Sequence, residues 1–174
     1  MKKIQPSKSQ FLILALSLLG IGIAIYLTSV HYENVPLVCS DNGLVNCARV
    51  ISSSYSVVPG TAIPITIPGF GWCVVAASLA VAGLFTTSGL WQRRIRWAQF
   101  IWALSGMLVV LYLVYAEIVA LHTICAWCTA LHILIFIMFL VTLVQLQSVP
   151  SDALLGEETE FEEAEEVNAL PQSK

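Results

Sequence analysis

The chain has 174 residues, of which 57% are hydrophobic and only 11% charged, and its mean hydropathy is +0.82. A soluble domain carries about 25% charged residues, so this composition excludes an ordinary water-soluble globule and sets most of the chain against lipid or other apolar helices. The formal charge of -3 does not describe that membrane part, because eight of the eleven acidic residues lie between Asp152 and Glu166. What remains is mildly basic, and it has no basic patch with interleaved aromatics, so nucleic acid is not an expected partner.

Met1 to Lys8 is a short basic, polar head. Residues 11–30 (Phe11 to Val30) form an apolar run of 20 residues, enough to cross a hydrocarbon core of ~30 Å. The run exceeds the ~7–15 residues of a signal-peptide core and no small-x-small cleavage site follows it, so it reads as a first transmembrane helix. His31 to Pro68 differs in kind: it holds Pro36, Pro59, Pro64 and Pro68, the run Ser52-Ser53-Ser54, and two cysteines. Cys47 to Val58 has room for a short helix capped by Asn46. Ile63 to Pro68 is apolar but broken by proline, which suits a segment lying on the membrane surface or over the bundle. An ordered loop of this length without strong secondary structure is usually functional.

Residues 69–90 form the second expected span. Trp91-Gln92-Arg93-Arg94-Ile95-Arg96-Trp97 follows as a basic turn bracketed by tryptophans, the composition of a membrane interface. Residues 98–121 and 128–146 are the third and fourth spans, and 149–174 is an acidic, low-complexity tail with the composition of a disordered segment. The expected architecture is an all-α membrane protein: a four-helix membrane domain over residues 1–148, capped by a long extracytoplasmic loop. Lys2, Lys3 and Lys8 in the head and Arg93, Arg94 and Arg96 in the second loop outweigh Arg49, the one basic residue of the other two loops. The positive-inside rule then puts both termini in the cytoplasm of a multi-pass inner-membrane protein. It also puts Cys39, Cys47, Cys125 and Cys128 on the opposite, oxidising face, where disulfides persist.

Cys125-Ala126-Trp127-Cys128 is a CxxC motif just before an apolar helix. Such a pair can form a disulfide, share a metal or exchange thiols. At a helix start, the backbone dipole favours thiolate over thiol. Cys39 and Cys47, with seven residues between them in the outer loop, supply a second dithiol on the same face. Two dithiols suit thiol–disulfide exchange through mixed disulfides, with a lipid-soluble quinone as the natural two-electron acceptor. The alternative is a non-enzymatic scaffold or transporter stapled by two structural disulfides. A CxxC crosslink closes too short a loop to stabilise much, which favours redox work. A four-cysteine zinc site fits poorly with ligands at a hydrocarbon boundary.

Cys39, then Cys47-Ala48-Arg49-Val50-Ile51-Ser52-Ser53, a Gly/Pro-rich return and Cys125-Ala126-Trp127-Cys128 together resemble the vitamin K epoxide reductase family and its bacterial homologues, over roughly residues 8–148. Quinone-linked oxidases of the DsbB type also have four helices and two outer cysteine pairs, but they carry the pairs in the reverse order. The resemblance implies that a reduced thioredoxin-like (DsbA-like) protein attacks a Cys39–Cys47 disulfide, with Cys39 meeting the partner. It implies that Cys47 then relays electrons to Cys125 and that Cys128 reduces a bound menaquinone, ubiquinone or related quinone. Disulfide formation in exported proteins would follow, and the acidic tail in place of a fused thioredoxin-like domain implies a separate partner. Ser53 matches the family serine beside this relay. His132 stands where the vitamin K enzymes of the family have a tyrosine, which favours an ordinary respiratory quinone over vitamin K epoxide.

Further readings concern individual residues. His132 lies one turn past Cys128 on nearly the same face, within reach of a quinone oxygen. Glu117 is the sole acidic residue of the expected spans and a candidate proton donor or quinone-site residue. Phe70, Trp72 and Trp127 are candidate walls of an apolar quinone pocket, or else interface anchors. Cys73, alone in an apolar span, takes the part of a small hydrophobe, and His31 and His122 sit at interfaces.

Overall fold

The computed structural model describes residues 8–33, 39, 44–86 and 88–147; the acidic tail and the first seven residues lie outside these. Four helices are long and apolar enough to cross a membrane: α1 (Lys8–Glu33), α3 (Thr66–Phe85), α4 (Gly89–Tyr115, continued by a π-helical turn, Ala116–Ala120) and α5 (Ala126–Gln147). The short α2 (Cys47–Ile51) lies in the first loop. The long helices close a ring in the order α1, α3, α4, α5, each packed on the next and α5 back on α1. The protein is an all-α multi-pass membrane bundle.

Small residues bring the backbones together, as in lipid they must. Gly20 of α1 lies under the Cys73 sulfur of α3, where a Cβ would stand 2.8 Å from Sγ. Gly83 lies under Gln10, and Gly106 of α4 under the Trp72 indole, 2.5 Å from where its own Cβ would be. Trp72 and Trp102 then stack, each indole N–H donating to the other's backbone carbonyl. Ile13, Leu16, Ala80 and Met138 form the core on the inner side of this contact.

The helix limits differ from the apolar runs. The second span ends at Phe85 rather than residue 90, and the third begins at Gly89 rather than 98, so Trp91 to Trp97 is helix and not a turn. Hydropathy marks where lipid begins, but the hydrogen-bond ladder continues into the interface as long as capping allows. Arg94 here lies over the Trp91 ring. Thr66, Ile67 and Pro68 belong to the first turn of α3, where proline removes no helical hydrogen bond. The rest of the 63–68 segment folds back as a small hairpin: Val57 bridges Pro64 in antiparallel fashion around Gly60 (φ 79°), and Pro64 is fully buried.

Asn46 does cap a helix, its side chain accepting from the Arg49 N–H at 2.8 Å, which is worth about 1 kcal/mol. That helix stops at Ile51 rather than reaching Val58, and a 3-10 turn, Ser54–Ser56, follows. Serine hydroxyls explain the break: Ser53 donates to the Val50 carbonyl and Ser56 to that of Ser53, which competes with continued helix.

Candidate redox site

A contact between two distant loops organises the outer end of the bundle. Val45 bridges Ile124 in parallel, with the Ile124 N–H donating to Leu44 O at 2.9 Å and the Asn46 N–H to Ile124 O at 3.1 Å. One residue beyond the bridge on one side is Cys125; two beyond on the other is Cys47. Both are buried, 0% and 1% exposed, in one cluster with Val50, against which Cys39, Leu121, Trp127 and Cys128 pack. Cys39 and Cys47 are joined in a disulfide, while Cys125 and Cys128 are both free thiols.

Cys125 immediately precedes Ala126, so its sulfur occupies the cap position of α5. It accepts the Cys128 N–H at 3.3 Å, the third backbone donor of the helix. Its thiol is held below the ordinary thiol range, chiefly by the hydrogen bond from the Cys128 side chain; burial and the Glu117 carboxylate oppose that effect. The dipole argument made from the motif alone is therefore realised as named donors at a helix start.

Cys128, one turn deeper, lines an apolar cavity of about 240 Å³ enclosed by all four long helices, with Trp72, Gly106, Val110, Leu131 and His132 among its walls. A smaller space of about 60 Å³ adjoins it toward the outer face, sharing Cys128 and His132 and adding Glu117, His31 and Tyr55. His132 is 8% exposed, and among the described residues no hydrogen-bond partner reaches its imidazole. His132 lines both spaces, so its imidazole is available to a polar group placed there. Glu117 is also buried (6% exposed), at the π-helical turn, and its carboxylate accepts the backbone N–H of Cys125. π-turns of this kind are frequent at functional sites.

The other candidates separate. Phe70 points away from the cavity and is 37% exposed, because the inward stripe of α3 runs through Gly69, Trp72, Cys73, Ala76 and Ala80. Each residue turns an α-helix by about 100°, and Phe70 lies roughly that far around the helix from the centre of the stripe. Trp72 is the aromatic that forms a wall, and Cys73 joins it there while seated on Gly20. The Ser53 hydroxyl is engaged with Val50 O, and Ser53 lies outside both cavity linings. Trp127 packs at a tilt against Tyr26 of α1, with ring centroids 5.0 Å apart and planes at 54°. Among the described residues no group of three or more His, Cys, Asp or Glu side chains could hold a metal ion. Sequence reasoning missed the Val45–Ile124 bridge and Tyr55; the two bridging segments are short and carry no strand signal.

A helical membrane bundle with two cysteine pairs gathered at one end, one bonded and one free, defines a membrane protein built for disulfide exchange. The chain belongs to the vitamin K epoxide reductase family, whose model matches residues 11–143. No curated protein matches the chain. Membership makes it a membrane oxidoreductase acting through disulfides, in a family whose enzymes use quinones.

Proposed function

We propose that this protein passes electrons from a reduced thioredoxin-like partner on the extracytoplasmic side through Cys39/Cys47 to Cys125/Cys128 and on to a quinone, so supporting disulfide formation in exported proteins. The observation that carries this reading is the apolar cavity whose wall holds both the Cys128 thiol and the His132 imidazole. A polar acceptor at that wall would satisfy His132, and the apolar residues around it suit a lipid-soluble molecule. When bound there, a quinone would supply the sink for two electrons and two protons.

The chain's own residues carry the steps before that. The partner's thiolate attacks Cys39 of the loop disulfide and frees Cys47. The partner's second cysteine then displaces Cys39 and leaves as the partner's own disulfide. Cys47 attacks Cys125 and releases Cys128, and the freed Cys39 closes on Cys47 to leave Cys125 as a thiol. This exchange leaves the loop pair bonded and the inner pair as thiols, with two electrons moved inward. His132 holds a proton at the cavity wall, and Glu117, bonded to the Cys125 N–H, stands between the dithiol and the outer space lined by His31 and Tyr55. Trp72 and His132 would hold the ring; Ser53 and Phe70, outside the linings, are dropped as ring contacts. Arg93, Arg94 and Arg96 sit at the end of the bundle away from the cysteines, which supports a cytoplasmic inner end.

Thiol-dependent quinone reduction by the purified protein tests the proposal, with menaquinone, ubiquinone and vitamin K epoxide compared. The expected result is reduction of a respiratory quinone that requires Cys128, with little turnover of the epoxide. Thiol oxidation that survives Cys128→Ala, with the loop disulfide never opening, would overturn it.

A further inference from the structure

Resting on the relay proposed above, we infer that the clasp between Leu44–Asn46 and Thr123–Ile124 is what delivers Cys47 to Cys125, with Thr123 and His122 as positioning residues. Three hydrogen bonds make the clasp. Besides the two backbone bonds of the Val45–Ile124 bridge, the Thr123 hydroxyl donates to Leu44 O at 3.2 Å, so this one carbonyl takes two donors from the α4–α5 connection. Thr123 is 2% exposed.

The connection is itself anchored from below. The Thr123 N–H donates to Glu117 O at 3.0 Å and the Leu121 N–H to Ala116 O at 2.9 Å, both on the π-helical turn. Between them His122 has φ 50°, a left-handed conformation that histidine tolerates and β-branched residues do not. That reversal turns Thr123 and Ile124 toward the outer loop. Each reacting cysteine then begins or abuts a helix directly after the clasp, so neither has slack: Cys47 is the first residue of α2 and Cys125 precedes the first residue of α5.

The step this geometry serves is an exchange of disulfides. The Cys47 thiolate forms a bond to Cys125 Sγ as the Cys125–Cys128 bond breaks, and Cys128 leaves as a thiolate. The Cys39 thiolate then bonds to Cys47 and displaces Cys125. Two electrons move from the loop pair to the inner pair; Cys39 and Cys47 lose their protons, and Cys125 and Cys128 gain two. Attack on sulfur is directional, and misplacement of reacting atoms by ~1 Å costs about 100-fold.

The test isolates the first of these contacts. In a Cys39→Ser/Cys128→Ser double variant, Cys47 and Cys125 are left to pair, and oxidised glutathione converts them to one disulfide with release of two reduced glutathiones. The equilibrium constant against glutathione gives the effective concentration of the two thiols, with the bond located by peptide mapping. Adding Thr123→Val should lower that concentration about tenfold or more, and Thr123→Ser should restore it to within about twofold. His122→Gly should leave it unchanged and His122→Val should lower it. Equal values for Thr123→Val, His122→Val and their parent would overturn the positioning role while leaving the relay intact. Failure of the parent double variant to form a Cys47–Cys125 disulfide would overturn the relay reading and this inference with it.

Discussion

The two ends of the bundle both bury polar side chains, and they treat them differently. At the inner end Gln10 and Gln99 exchange a reciprocal pair of amide hydrogen bonds (3.1 and 2.8 Å) between α1 and α4, and Ser17 donates to Ile13 O and toward the Met138 sulfur. At the outer end no described residue bonds to the His132 imidazole, which lines both cavities, and the Glu117 carboxylate takes the Cys125 backbone N–H beside the cysteines. Mutually satisfied groups hold helices together. A group left unpaired against a cavity instead waits for a ligand. Gln145 breaks the pattern: it is buried near the inner end with neither amide atom bonded, and nothing in the structure explains it.

The contrast can be broken first at its strongest point. Cys128→Ala should lower quinone-linked thiol oxidation by on the order of 1,000-fold or more while the bundle stays folded, which steady-state rates and a detergent melting curve would show together. His132→Leu should cost about 100-fold in kcat/KM with no loss of stability, because no hydrogen bond is removed. If His132→Leu unfolds the protein instead, the imidazole is structural and the two ends are alike.

At the inner end the same kind of change should do the reverse. Gln99→Leu strands the Gln10 amide over Gly83 and should destabilise by about 1–2 kcal/mol, read from unfolding in mixed micelles, with turnover unchanged. Gln145→Leu removes an unpaired buried amide and should stabilise by about 1 kcal/mol. The smallest expected effect is a titration. The Cys125 thiol, held low chiefly by its hydrogen bond from Cys128, should ionise at lower pH than a free cysteine, so its thiolate absorbance appears earlier as pH rises. Cys128→Ala removes the main cause and should move that appearance back to higher pH.

Much of this was legible in the chain. Apolar runs locate helices because lipid offers no other way to satisfy the backbone, and all four spans appear where hydropathy put them, though with ends displaced at Phe85 and Gly89. Asn46 as a cap and CxxC at a helix start follow from local chemistry, and both are found. Trp72 lines the cavity and Phe70 does not, a distinction composition misses because it names aromatics without assigning them a face; the 3.6-residue stripe through Gly69, Trp72, Cys73 and Ala76 was the available signal. Ser53 lies outside both cavity linings, its hydroxyl donating to a carbonyl within its own turn.

By itself, then, the sequence determined the spans, the cap and the motif, since each depends on residues close together in the chain, and the family resemblance, which rests on the order of such short motifs. Only the tertiary structure decided which cysteines meet. The Val45–Ile124 bridge joins segments 79 residues apart, and no local preference encodes such a pairing. It forms because the ring of helices brings the α4–α5 connection under the outer loop, where unpaired backbone groups of both segments must find partners. The cavity has the same origin: Trp72 over Gly106, and Cys128 and His132 one turn apart, enclose a space only once four helices close around it.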